Sequence, residues 1–283
     1  MWLAIIAVIV GLAILVWSAD VFIDGAVVLA NKLNVPSFLI GVVILGLGTS
    51  APEMVVSVLA ALEGSPELAL GNAYGSNIIN IALVLGATVL ISPIIIRSSI
   101  IKRDMPLLLL VTAVAAWQLS DGVLGHTDGL VLIVLLVMIL AIQIVLSLRE
   151  GNHEHEDDPA LESSEETSAI RGIGTLFLGL LVLILSSRAI VWGAVELATL
   201  WGLSELMIGL TIVAVGTSLP ELVASLSAAR KGEHDMALGN IIGSNIFNTL
   251  AVVGLAALIA PITPNAIILS LSLIHISEPT RPY

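Results

Sequence analysis

Gly48-Thr49-Ser50-Ala51-Pro52-Glu53 decides how this chain is read, because it returns 168 residues later as Gly216-Thr217-Ser218-Leu219-Pro220-Glu221. Each copy sets a glutamate one residue after a proline, inside a long apolar run. An ionised carboxylate in such a run costs several kcal/mol unless a partner compensates it, so an acidic residue there marks function by default. Taken singly, either glutamate is compatible with a structural hydrogen-bonding role. Two in register, each with its Pro and Thr, favour a working pair.

The chemistry of the block is local. Proline cannot donate the helical hydrogen bond, so Pro52 releases the carbonyl of Gly48 and Pro220 that of Gly216. Thr49 and Glu53 are four residues apart, as are Thr217 and Glu221, so each hydroxyl and carboxylate share a helix face. Each copy therefore offers a carboxylate, hydroxyls and opened backbone, the hard oxygen donors that calcium and sodium prefer. A second block follows in each half. Gly71-Asn72-Ala73-Tyr74-Gly75-Ser76-Asn77-Ile78-Ile79-Asn80 matches Gly239-Asn240-Ile241-Ile242-Gly243-Ser244-Asn245-Ile246-Phe247-Asn248. Its glycines, four apart, let helices approach closely. Its amides and hydroxyls bring the oxygen supply above the six to eight that calcium takes. Asn72, Asn80, Asn240 and Asn248 are left open between ligation and bonding from helix to helix.

The same offset pairs Gly11 with Gly179, Ser18 with Ser186, Gly25 with Gly193 and Pro93 with Pro261. The chain is thus a duplication. With 58% hydrophobic residues, 11% charged and a mean hydropathy of +1.09, it is too apolar for a soluble globule and reads as a polytopic membrane protein. The formal charge of -12 is concentrated in one stretch, His153 to Glu166, which reads as a solvated tether. Cysteine is absent, so thiolate and disulfide chemistry are excluded. A phosphate loop, a catalytic triad, an HExxH motif and a basic patch are all missing from the sequence, so neither an enzyme nor a nucleic-acid binder is expected.

Hydrophobic runs of about 20 residues predict eight membrane helices, near 2–30, 37–61, 67–91, 104–119, 128–148, 172–200, 205–229 and 235–259. Five spans separate the start of one half from the start of the other, so the second half enters from the opposite face: an inverted repeat, the pattern of a secondary transporter. Lys32, Arg97, Lys102, Arg103, Arg149, Arg171, Arg230 and Lys231 then fall on one side, the cytoplasm, with the amino terminus outside. The expected organisation is a first repeat over residues 1–148, an acidic cytoplasmic linker over 149–170 and an incomplete second repeat over 171–270. The stretch Leu271 to Tyr283 reads as the translation of a sequencing adapter and is expected to be foreign to the fold. The offset also sets Asp20 of the first span against Arg188 of the sixth, an ion pair if those helices adjoin.

The two blocks, GTSxPE and GNxxGSNIxN in each half, resemble the alpha repeats of the calcium/cation antiporter superfamily, in particular its bacterial sodium/calcium exchanger-like branch. The resemblance spans residues 1 to 270. It implies an all-α membrane protein of ten transmembrane helices, of which eight are present here. It further implies alternating access by sliding of the first and sixth helices, with Ca2+ and Na+ as transported ions and membrane lipid as surroundings. Glu53 and Glu221 would be the principal ligands, with Thr49, Ser50, Ser76, Asn77, Thr217, Ser218, Ser244 and Asn245 lining the sites. The location implied is the bacterial inner membrane. A proton/calcium antiporter on the same fold is the alternative. A passive cation channel or a membrane assembly factor is a more distant one.

Overall fold

The computed structural model describes residues 1–94, 98–154, 169–203, 212 and 214–263; the adapter-like stretch and most of the acidic linker lie outside them. Among the described residues the chain is nearly all helix. The helices are α1 (Trp2–Leu33), α2 (Ser37–Thr49), α3 (Ala51–Leu62), α4 (Glu67–Ile91), α5 (Ser98–Gln118), α6 (His126–Glu154), α7 (Ala169–Leu200), α8 (Ala214–Thr217), α9 (Leu219–Arg230) and α10 (His234–Ile259). The first stop shows how the sequence sets an end. Asn34 adopts the left-handed conformation at φ 55° and returns its N–H to the carbonyls of Ala30 and Asn31, and Pro36 then opens α2.

Five of these segments, Trp2–Leu33, Glu67–Ile91, His126–Leu146, Ala169–Leu200 and His234–Ile259, are long and apolar enough to cross a membrane. The pair α2 and α3, bent by 43°, makes a sixth if taken as one span. The expected fourth span falls in α5, which carries Lys102, Arg103 and Asp104 near its start. The expected seventh lies partly outside the described residues. Large apolar side chains stand exposed along the helices, Trp2, Ile6, Ile9 and Trp17 on α1 and Phe177, Leu181 and Leu185 on α7 among them. Such a surface suits lipid rather than water, and the protein is an integral membrane protein.

Two compact units emerge, each drawing on both halves of the sequence. The first comprises residues 1–49, 79–95 and 140–244, the second 50–78, 96–139 and 245–283. In the first unit α1 and α7 lie side by side along their length. Gly11 abuts Ile190, Gly179 abuts Phe22, Gly25 abuts Leu176 and Gly193 abuts Ala4, so one helix rises as the other descends. These helices are equivalents under the 168-residue offset, and their antiparallel course is what inversion of the repeat requires. A Cβ on Gly179 would lie 2.5 Å from the Phe22 backbone nitrogen, so glycine is obligatory for this closeness. Around the seam Leu15, Phe22, Ile23, Leu176 and Leu183 form the buried core with Ala224 and Ala228 of α9.

Asp20 does not pair with Arg188. Its carboxylate accepts a hydrogen bond from Ser227 Oγ at 2.5 Å, while Lys231 Nζ reaches the Asp20 carbonyl at 2.9 Å and Asp24 Oδ1 at 2.5 Å. α1 runs past the end of α9, which supplies a hydroxyl and an ammonium, and the acidic residues take those partners instead. In the second unit α3 packs on the end of α10, and α6 meets α10 where Gly129 faces Gly254. His126 Nδ1 lies 3.1 Å from the carbonyls of Ala257 and Leu258, and a short backbone bridge joins Leu124 to Ile262.

Candidate functional site

Both GTSxPE blocks break a helix. α2 ends at Thr49 and α3 starts at Ala51, with Ser50 between them at φ -84°, ψ 0°; α8 ends at Thr217 and α9 starts at Leu219, with Ser218 at φ -92°, ψ 7°. Pro52 and Pro220 sit at the second position of the new helix, where a missing N–H costs nothing. Thr49 and Glu53 therefore belong to different helix segments set at 43°, not to the one continuous helix expected. What the break provides instead is a helix start near the middle of Ser37–Leu62. Glu53 stands in the first turn of α3 and Glu221 in the first turn of α9. A helix amino terminus carries about half a positive charge, which favours a carboxylate there. Both glutamates are only 1% exposed.

Each glutamate helix is tied to the helix that follows it by the same contact. Asn72 Nδ2 donates to the Glu53 carbonyl at 3.4 Å and to Ser57 Oγ at 3.2 Å. Asn240 Nδ2 donates to the Glu221 carbonyl at 3.3 Å and to Ser225 Oγ at 2.8 Å. These two asparagines, open in the sequence between ligation and bonding from helix to helix, make helix-to-helix hydrogen bonds. Each glutamate helix also packs on a widened, π-type stretch of the other half: α9 on Asn80–Leu85 in the first unit, α3 on Asn248–Val252 in the second. Wide turns of this kind are frequent at functional sites.

The first unit holds Glu221, Thr217, Ser218, Thr49, Asn80 and Ser244. Thr49 Oγ1 lies 3.0 Å from the Leu45 carbonyl, 3.3 Å from Asn240 Oδ1 and 3.3 Å from Ser244 Oγ, so two of the expected lining hydroxyls touch. Ser187 Oγ donates to the Gly216 carbonyl at 3.0 Å, taking one of the carbonyls that Pro220 releases. Ser218 is buried, with no hydrogen-bond partner for its hydroxyl among the described residues.

The second unit holds Glu53, Ser50, Ser76, Asn77, Asn245 and Asn248. Both carboxylate oxygens of Glu53 are buried with no hydrogen-bond partner among the described residues. Asn77 Nδ2 donates to Thr249 Oγ1 at 2.8 Å, and its Oδ1 has no partner. Ser50, Ser76 and Asn245 are buried as well. Asn80 and Asn248, which the sequence reading does not single out as ligands, are both 0% exposed and open the two wide turns. Neither amide atom of Asn248 has a hydrogen-bond partner among the described residues. The signal for this pair is in the sequence, as the last asparagine of each GNxxGSNIxN block. Among the described residues no three His, Cys, Asp or Glu side chains are grouped.

A buried carboxylate thus recurs at each broken helix, with hydroxyl and amide neighbours in both halves. The family model described as "Sodium/calcium exchanger protein" matches residues 3–145 and 171–277. The chain belongs to the sodium/calcium exchanger family. It is 48% identical over 266 residues to CaxA of Alkalimonas amylolytica, covering 92% of this chain and 82% of that protein. It is 32% identical over 287 residues to the sodium/calcium exchanger MaX1 of Methanosarcina acetivorans, covering 89% and 82%. The solved structure of the sodium-calcium exchanger NCX_Mj, soaked with zero Na+ and Ca2+, superposes with a TM-score of 0.80 at 32% identity, covering 96% of this chain and 89% of that one. The fold is that of an exchanger, a transporter of cations rather than an enzyme.

Proposed function

We propose that this exchanger is a secondary active antiporter that moves Ca2+ against Na+ by alternating access, with Glu53 and Glu221 as the carboxylates that neutralise the ion. Burial of both glutamates in the first turn of a half-helix, with no hydrogen-bond partner for the Glu53 oxygens among the described residues, is the observation that carries this reading. A buried carboxylate without donors, as at Glu53, is expensive as an anion, and a desolvated cation offsets that cost. The neutral oxygens come from Thr49, Ser50, Ser76, Asn77, Thr217, Ser218, Ser244 and Asn245, joined by Asn80 and Asn248. Two negative charges balance one divalent ion, whereas three monovalent ions leave one positive charge in excess. The protein resides in the bacterial inner membrane with its amino terminus outside. The names of the relatives MaX1 and NCX_Mj, both sodium/calcium exchangers, support the choice of ions.

Calcium uptake into vesicles carrying the purified chain tests this. An outward Na+ gradient should drive uptake, and clamping the pH on both sides should leave the rate unchanged. Uptake that follows the pH gradient and ignores Na+ would assign a proton/calcium antiporter instead. Glu53→Gln and Glu221→Gln should each lower coupled flux by about 100-fold or more, the scale of losing a charged partner in a low-dielectric site. Undiminished flux in either variant would return the chain to a passive channel or an assembly role.

A further inference from the structure

Three polar ties fasten the α1–α7 pair to the broken helix α8–α9, all within the first compact unit. Ser187 Oγ of α7 donates to the Gly216 carbonyl at 3.0 Å, Ser227 Oγ of α9 donates to Asp20 Oδ1 of α1 at 2.5 Å, and Lys231 Nζ reaches the Asp20 carbonyl at 2.9 Å and Asp24 Oδ1 at 2.5 Å. Asp20 and Asp24 are four residues apart on α1, and Ser227 and Lys231 are four apart at the end of α9, so one face of each helix meets the other. These contacts lie to one side of Glu221. Ser227 is about 9 Å beyond it along α9 at the helical rise. Over that stretch Ala224 and Ala228 are 0% exposed, in one core with Leu15, Phe22 and Ile23 of α1. The repeat does not reproduce the ties. The 168-residue offset puts Ala19 at the place of Ser187 and Leu59 at that of Ser227, neither with a hydroxyl, and it exchanges the charges, Arg188 for Asp20 and Glu63 for Lys231.

We propose that Asp20, Ser227 and Ser187 form a one-sided latch, which keeps the stretch from Glu221 to Lys231 covered and so sets the face to which the empty carrier is shut. This rests on the alternating-access reading, and in the orientation proposed for the chain the latched face is the cytoplasm. In an inverted repeat the two access states exchange the roles of the halves, so identical halves would give two states of equal energy. Residues that differ between the halves decide the bias. The exposed Lys231–Asp24 pair adds little to it. The Ser227 bond weighs more, because its hydroxyl is buried and its acceptor is charged. For water or an ion to reach Glu221 from the Lys231 face along α9, α1 must part from α9, and that bond must break.

The chain has no cysteine, so a single Ala224→Cys reports access to the covered stretch. Its labelling by a membrane-impermeant cationic methanethiosulfonate, applied to the full chain in vesicles from either face, tests the latch. With the latch residues intact the thiol should label slowly from the Lys231 face. Ser227→Ala or Asp20→Ala should speed that labelling roughly 10- to 100-fold, the scale of a hydrogen bond to a charged group, with no gain from the opposite face. Ser187→Ala should act in the same direction by less, since its acceptor is neutral. The Asp20→Ala/Ser227→Ala double variant should match the stronger single one, because the two residues make one bond. In transport, Ser227→Ala should lower the half-saturating Ca2+ concentration at the Lys231 face by roughly 5- to 50-fold and raise it at the other face by about twofold at most, as expected when the state open to the first face gains population. Unchanged labelling, faster labelling from both faces alike, or half-saturation that moves in the same sense at both faces would each overturn the proposal. The two readings fail separately. If the parent chain shows no Na+-driven Ca2+ uptake while Ser227→Ala still speeds labelling from the Lys231 face alone, the exchanger reading falls and the latch stands; if uptake follows Na+ and labelling does not change, only the latch falls.

Discussion

Asn240 and Asn72 show how much the same residue type, at equivalent places, can differ in what it secures. Asn240 is fully buried, donates twice and receives a hydroxyl contact from Thr49, whereas Asn72 is partly exposed and donates twice at longer distances. Asn240→Ala strands Ser225 and the Glu221 carbonyl in the interior. It should lower stability by about 1–3 kcal/mol, and Asn72→Ala by less, read as the order of melting temperatures in detergent. Asn248 makes the opposite case. With no hydrogen-bond partner for its amide among the described residues, Asn248→Ala breaks no hydrogen bond seen there and should leave the melting temperature within a few degrees while Ca2+ affinity falls at least about tenfold. A drop in melting temperature equal to that of Asn240→Ala would show Asn248 to be structural.

The α1–α7 seam sets the demands at the scale of the element. A side chain at Gly25 would collide with the Leu176 backbone, and one at Gly179 with that of Phe22. Gly25→Val and Gly179→Val should each cost more than the roughly 1–3 kcal/mol typical of overpacking, since backbone cannot step aside, and size-exclusion chromatography should show loss of the monodisperse species. Gly64, in the turn after α3, meets nothing within 4 Å but has φ +79°, so Gly64→Ala tests conformation rather than space and should cost about 1 kcal/mol. Where α1 passes α9, two contacts of unlike worth adjoin. Lys231 and Asp24 are 29% and 67% exposed, and Asp24→Ala should cost under about 1 kcal/mol. Asp20, which accepts from the buried Ser227 hydroxyl, should cost more when replaced by Ala.

For the whole molecule the decisive quantity is charge moved per cycle. If two carboxylates meet one divalent ion in one half-cycle and three monovalent ions in the other, each turnover carries one net charge across the membrane. An imposed potential then acts on the cycle with about 2.3 kcal/mol per 100 mV. Valinomycin-clamped vesicles should therefore show Ca2+ uptake that changes steeply with the potassium potential, and a voltage-independent rate would indicate an electroneutral exchange.

The duplication, the nearly all-helical membrane character and the buried acids were legible because they rest on local facts. Apolar length, proline, glycine and a fixed offset do not depend on what packs against them, whereas the full break at Ser50 and Ser218 exceeds the freed carbonyls that Pro52 and Pro220 predict. Partnership was not legible in the same way. Asp20 found Ser227 in place of Arg188, Asn72 and Asn240 became fasteners, Asn77 gave its NH2 to Thr249, and Asn80 and Asn248 came to open two wide turns. An amide or carboxylate has several possible partners of similar strength within a few ångströms, and only the packing of distant helices selects among them.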